Sequence, residues 1–531
     1  MIMLICSCGL QNMVSKFDKI EYTVTPKVME LHGNEIKIEM EVNLPSKYVD
    51  KKSIMKFTPV LADDKNMKKL KTITIQGEEI SEKGVTIGYA TGGKFTYKTS
   101  IEYDESLKNS DLYATAEITV GSNTKITDKF LITEGIITTS KMCKNEDKIS
   151  FANHGYEKET ILSESAIVYF LVNQANIRKS ERAGGDMSNL KKFMKTNNKT
   201  HSIEIISYAS PEGSVDFNSN ISDKRKNATF QYVKRELTRM KIDGADNSEN
   251  YKLISRGEDW TGFNNLVSKS NMQDKQSVLN IVNSIKDKKK REEAIRDMSI
   301  IFETIEKDVL PKLRKAEIKI NAYQPKKTDE EIKKLSTENP IELTIEELLY
   351  AASTLSKDES VSIYNFIIQN HPNDYRAYNN MGCLSMQDQN KERAQRWFKR
   401  SLEIEENDNA NMNLAIIAIE NQDFESYKSY FDKVKQPEKE NKGMHYLRTG
   451  QYKKAINNLE IGSYNYVLAN VLSGNYNENC SNNNSDCNYL NAIIGARKGE
   501  KENVLKYLDT DKNKIKAKSD WEFRNYWDII N

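Results

Sequence analysis

Apolar and polar positions follow three different rhythms along the chain. Between residues 16 and 155 they alternate in short bursts, separated by glycine-rich breaks such as Gly92-Gly93. Glu35 to Asn43 has a period of two: Ile36, Ile38, Met40 and Val42 fall on one side and Glu35, Lys37, Glu39 and Glu41 on the other. That pattern predicts a half-buried strand. Thr72 to Ile75, Phe95 to Tyr103, Leu112 to Val120 and Lys125 to Ile132 read the same way. Closely spaced short strands predict an antiparallel β-sandwich over 16–155.

From residue 160 strands and helices alternate. Ala166 to Val172 reads as a buried strand, Ser188 to Lys195 as a helix and Ser202 to Tyr208 as a second strand. Asp223 to Met240 reads as a long amphipathic helix with Ser222 as its N-cap. Tyr251 to Ser255 and Glu317 to Ala322 supply two more strands. This alternation predicts an α/β domain over 160–327, interrupted by a helical insertion near 265–310. Arg256 to Phe263 reads as a glycine turn into a helix, with Trp260 and Phe263 packing inward.

One stretch of this domain carries a family signature. Ser207-Tyr-Ala-Ser-Pro-Glu-Gly-Ser214, then Asn218, Ile221-Ser222 and Arg225, resembles the strand–turn–helix motif of the OmpA C-terminal family. Tyr169-Phe170 with Asn173 fits the family's first strand, and Arg314-Lys315 fits the basic step before its last. The resemblance implies peptidoglycan binding. Arg225 would hold the carboxylate of a stem-peptide diamino acid at a helix start, where free N–H groups and the dipole favour anions. The family aspartate that takes the ammonium is Ser210 here, which carries no charge. Glu212 is the nearby acid able to replace it, and Asn218 completes the candidate set. The alternative is a purely structural use of the fold, with Arg225 paired to Glu212 or Asp223.

Past Pro325 to Glu331, read as a short linker, helical periodicity takes over from 335 to 531. Tyr375 to Asp408 resembles a tetratricopeptide (TPR) unit of about 34 residues. Gly382 and Ala394 are the small positions where its two helices touch, Phe398 is the large residue filling the space beside them, and Tyr378 is a packing position of the first helix. Ser360, Tyr364, Ile367 and Pro372 suggest a preceding unit. Tyr446 to Leu459 and Ala492 to Leu508 suggest later, degenerate ones. Such an all-α solenoid implies a grooved surface for protein segments.

The N-terminus changes where such a chain would act. Ile5-Cys6-Ser7-Cys8 resembles a bacterial lipobox, which makes residues 1–15 a signal and anchor segment with Cys8 as the lipidated residue. The apolar stretch before it is shorter than an ordinary signal core. No acidic run follows Gly9, which favours the periplasmic leaflet over the cell surface. Lys+Arg 79 against Asp+Glu 77 leaves a charge of +2, so no basic field calls for nucleic acid. Cys480 and Cys487 lie in an Asn/Ser-rich loop and are placed to form a disulfide in an oxidising compartment. The five histidines are scattered, and no zinc spacing, phosphate loop, Gly-x-Ser-x-Gly or His-Glu-x-x-His motif is present.

Together these readings describe a multidomain protein resembling outer-membrane lipoproteins of the Bacteroidota: sandwich, OmpA-like α/β domain, TPR solenoid. The expected role is a non-enzymatic, lipid-anchored adaptor without cofactor or metal, an accessory subunit of an outer-membrane complex for assembly or export. The alternatives are a peptidoglycan tether and a surface fimbrial or adhesion accessory.

Overall fold

The computed structural model describes the backbone of residues 3–482 and 484–530, and their side chains except those of 3–8, 299 and 300. The N-terminal region is rich in β-sheet and the C-terminal region is helical. The chain forms two compact units: Met1–Ala152 with Asn373–Asn531, and Asn153–Pro372.

In the first unit a five-stranded and a seven-stranded sheet, both mostly antiparallel, enclose one core. The strand Glu35–Leu44 alternates strictly, with Ile36, Ile38, Met40, Val42 and Leu44 all buried. Phe57 of the larger sheet packs against Phe95 and Tyr97 of the smaller at 5.7 and 6.5 Å between ring centroids. Such aromatic contacts, with the aliphatic faces, take apolar surface out of water. The helix Met3–Ser15 lies against this core: Leu10 and Met13 are buried in it, and the Tyr48 hydroxyl donates to the Met13 carbonyl at 2.9 Å. Residues 9–15, expected to be a separate anchor segment, are thus part of the sandwich. Cys8, the expected lipid acceptor, lies outside the residues whose side chains are described.

The helical part of this unit runs in packed pairs, among them Tyr375–Gln387 with Lys391–Ile404, Asp408–Glu420 with Phe424–Phe431, and Lys439–Arg448 with Tyr452–Ile456. Gly382 permits the first pair to approach closely, because a Cβ there would lie 2.4 Å from the Phe398 ring. Ala394, Phe398 and Tyr378 are buried at the same contact. Cys480 and Cys487 are joined by a disulfide.

Buried ion pairs add to this unit's core. Arg497 reaches both Glu30, on a sandwich strand, and Glu522 near the C-terminus, whose carboxylate also accepts from Thr139 at 2.5 Å. Burial raises the Glu30 carboxyl, but its hydrogen bond with His32 and the charge of Arg497 outweigh it and hold it at about 2. A carboxyl depressed on folding stabilises the fold above its unfolded value and loses that contribution as pH falls towards the folded one. Wild type should therefore exceed Glu30→Gln by roughly 3 kcal/mol near neutrality. Urea midpoints of the two proteins should converge between pH 4.5 and 2, and a pH-independent gap would contradict this account.

The second unit holds a four-stranded sheet: Ile161–Tyr169, Lys199–Ala209, Tyr251–Glu258 and Lys315–Tyr323. Its spatial order is first, fourth, second, third; the second and third strands run parallel and the other pairings are antiparallel. The helices Gly185–Thr196 and Val215–Arg239 bury Met187, Leu190, Met194, Tyr232, Val233 and Leu237 against it. Short helices between Trp260 and Leu313 pack around an apolar cluster of their own. The first strand ends at Tyr169, so Leu171 and Val172, expected inside it, are 45% and 50% exposed. The helices Asp329–Glu338, Ile345–Thr354 and Lys357–Asn370 also belong to this unit. The chain therefore divides near 152 and 372, not at the expected boundary near 330.

Candidate functional site

Two constellations emerge, one in each unit. In the second unit the long helix begins at Val215, capped by Ser214, whose Oγ accepts from Phe217 N at 3.3 Å. The expected cap, Ser222, is buried mid-helix, where its hydroxyl donates to the Ser207 carbonyl at 3.0 Å. The helix starts two turns early because Ser214 itself caps it directly after the Pro211–Gly213 turn. Arg225 consequently sits about three turns inside the helix, away from its free N–H groups.

Arg225 is 1% exposed and gives its hydrogen bonds to the backbone carbonyls of Gln174 (3.0 Å), Tyr208 (3.0 Å) and Leu171 (3.3 Å), not to Glu212 or Asp223. Burial, reinforced by Arg314, pushes the guanidinium down to about 10. Glu212 does fold back towards this site. Its carboxylate accepts from the Ser210 hydroxyl at 2.7 Å and from Arg314 at 2.8 Å, so its charge is already compensated. Asn218 donates to the Gly213 carbonyl at 2.9 Å and to Glu258 at 3.1 Å. The sequence-derived set of Arg225, Ser210, Glu212 and Asn218 is thus gathered, but its polar groups are largely used internally. A cavity of about 370 Å³ opens beside it, lined by Phe170, Leu171, Arg178, Lys312 and Arg314. The buried Nε atoms of Arg178 and Arg314 have no hydrogen-bond partner.

The second constellation was not legible beforehand. Residues 143–152, expected in the sandwich, instead run extended along the helical pairs of the first unit. A series of buried asparagines grips them by the backbone. Asn380 accepts from Ala152 N at 2.8 Å and donates to its carbonyl at 3.2 Å. Asn413 does both to Ser150 at 2.8 Å. Asn441 holds Lys148 at 2.8 and 2.9 Å, and Asn465 holds Lys144 at 3.0 and 2.9 Å. Asn491 repeats the motif on Cys480, at 2.9 and 3.0 Å.

An extended residue points its N–H and C=O to the same side, and a primary amide offers one acceptor and one donor group to match them. Asn380, Asn413 and Asn441, each on a separate helix, thus match the backbone of alternate residues 152, 150 and 148, with Asn465 taking up Lys144 beyond them. Two side chains add sequence-dependent contacts. Arg448 binds Asp147 through both carboxylate oxygens, and their side chains are only 5% and 1% exposed. Ile149 packs against the cluster holding Cys383, Leu414 and Ile417. Buried asparagines on otherwise apolar helix faces were the available signal, since burying an amide demands a partner.

Among the described residues no three His, Cys, Asp or Glu side chains are grouped to hold a metal ion, and no helix is long and apolar enough to cross a membrane. No family model matches the chain, and no curated protein matches it.

Proposed function

We propose that the chain is a non-enzymatic adaptor of the bacterial envelope, anchored by a lipid at Cys8, whose TPR-like helical pairs organise protein segments within an outer-membrane complex. The observation that carries this reading is the asparagine series, which matches the hydrogen-bonding groups of an extended backbone. The close helical contact at Gly382 and Phe398 supports the TPR resemblance. The test is metabolic labelling with a radioactive fatty acid, followed by membrane fractionation. Label and outer-membrane association should both be present in wild type and lost in Cys8→Ser. An unlabelled, freely soluble wild-type chain would sink the envelope assignment.

A second reading, a peptidoglycan tether in an OmpA-like second unit, is favoured by one observation: the cavity beside Arg225 with two buried, unpartnered arginine donors. Against it stand Ser210 at the aspartate position and the compensated charge of Glu212.

A further inference from the structure

We propose that the asparagine-lined groove is a binding site for an extended segment of a partner protein, and that residues 144–152 are its intramolecular occupant. The partner segment would carry a carboxylate and, two residues later, an aliphatic side chain. This rests on the adaptor reading and specifies the ligand of its groove.

The clamps at Asn380, Asn413 and Asn441 bind the main-chain N–H and C=O of Ala152, Ser150 and Lys148, groups that any strand of the same register presents. Selectivity comes from the positions of Asp147 and Ile149. Arg448 is buried with Asp147 as its carboxylate partner, so a segment lacking an acid there would leave a buried guanidinium uncompensated. An aliphatic group is needed two residues on to fill the place of Ile149 beside Leu414 and Ile417. The Ser150 hydroxyl accepts from Asn409 at 2.9 Å, which favours a small polar residue next.

The occupant also has a weak point. Between Lys148 and Lys144 the two-residue register breaks, and Asn465 turns one donor to the Glu146 side chain at 2.9 Å. A cavity of about 370 Å³ lies beside this break, lined by Lys144, Glu146, Lys148, Glu440, Met444 and Tyr464. Opening would begin there, where the strand is least packed. Because the occupant is tethered, it competes at an effective concentration on the order of millimolar. A free peptide must therefore bind wild type poorly, and the natural ligand must be presented at high local concentration, as it is inside an assembly.

The test uses the full chain and a fluorescein-labelled peptide copying residues 144–153. Wild type should bind it weakly. Asp147→Ala/Ile149→Ala, which weakens the occupant and leaves the groove intact, should bind it at least tenfold more tightly and gain several degrees in melting temperature on its addition. A peptide with alanine at the Asp147 position, or a chain that also carries Asn413→Ala, should lose the gain. Equal, weak binding by wild type and the folded double variant would overturn the proposal while leaving the Cys8 labelling result, and with it the envelope reading, untouched. If the double variant does not fold, hydrogen exchange on wild type decides. The amides of Lys148, Ser150 and Ala152 should exchange together and faster than those of the helix Tyr375–Gln387. Exchange of both sets only on global unfolding would mean a permanent strap and overturn the proposal.

Discussion

Replacing Arg497 with methionine should destabilise the first unit by about 3–5 kcal/mol, the usual consequence of stripping one partner from a buried ion pair. Arg497 donates to both Glu522 oxygens at 3.0 Å and also reaches Glu30. The Arg497 and Glu522 side chains are 13% and 2% exposed. Burial lowers the guanidinium, but Glu522 and Glu30 outweigh it and hold it above its ordinary range. Burial already holds the Glu522 carboxyl above its ordinary range against Arg497 and the Thr139 hydroxyl, and loss of the cation pushes it up further. A group whose folded value is raised is most stabilising below its unfolded value, so the deficit of Arg497→Met should shrink as pH falls towards about 4.5. Adding Glu522→Gln should recover part of the loss at neutral pH. Urea denaturation across pH, followed by the near-ultraviolet signal, gives the comparison. A deficit below about 1 kcal/mol would place the pair among ordinary surface bridges.

Arg225→Ala should cost the second unit a comparable amount, about 3–5 kcal/mol, through a different mechanism. The guanidinium ties three carbonyls from two chain segments, and truncation leaves those acceptors dry beside a new void. Arg225→Lys should not rescue it, because a single ammonium cannot span the Gln174, Tyr208 and Leu171 carbonyls with the geometry of a planar fork. Hydrogen exchange in the strand Lys199–Ala209 reports on this unit alone. The same variants separate structure from binding. If the full chain co-sediments with peptidoglycan and Arg225→Lys remains folded but stays in the supernatant, the arginine is a ligand-binding residue. If wild type fails to sediment, the fold serves without the wall ligand.

Local elements and their inward faces were legible in the order of residues alone. The period of two in Glu35–Leu44 fixed which side of the strand is buried, because a one-residue slip would turn every apolar side chain to water. The strand and helix alternation of 160–327 and the pair centred on Gly382 and Phe398 were equally legible, being set by contacts close in sequence. Capping was less legible: Ser214 and Ser222 are equivalent by residue type, and the helix starts at Ser214, after the Pro211–Gly213 turn, while Ser222 is bonded to Ser207 and Ser255 inside it. Tertiary structure alone decided what the polar groups do. Arg225 looked like a free anion-binding fork and became a carbonyl clamp, because the chain at Leu171 and Gln174 bends over it from more than fifty residues away. The asparagine series lay hidden for the same reason. Each asparagine is unremarkable by itself, and its meaning depends on residues 144–152, which reach it across more than two hundred positions of chain. Periodicity reports burial; it carries no information on which distant backbone will satisfy a buried amide.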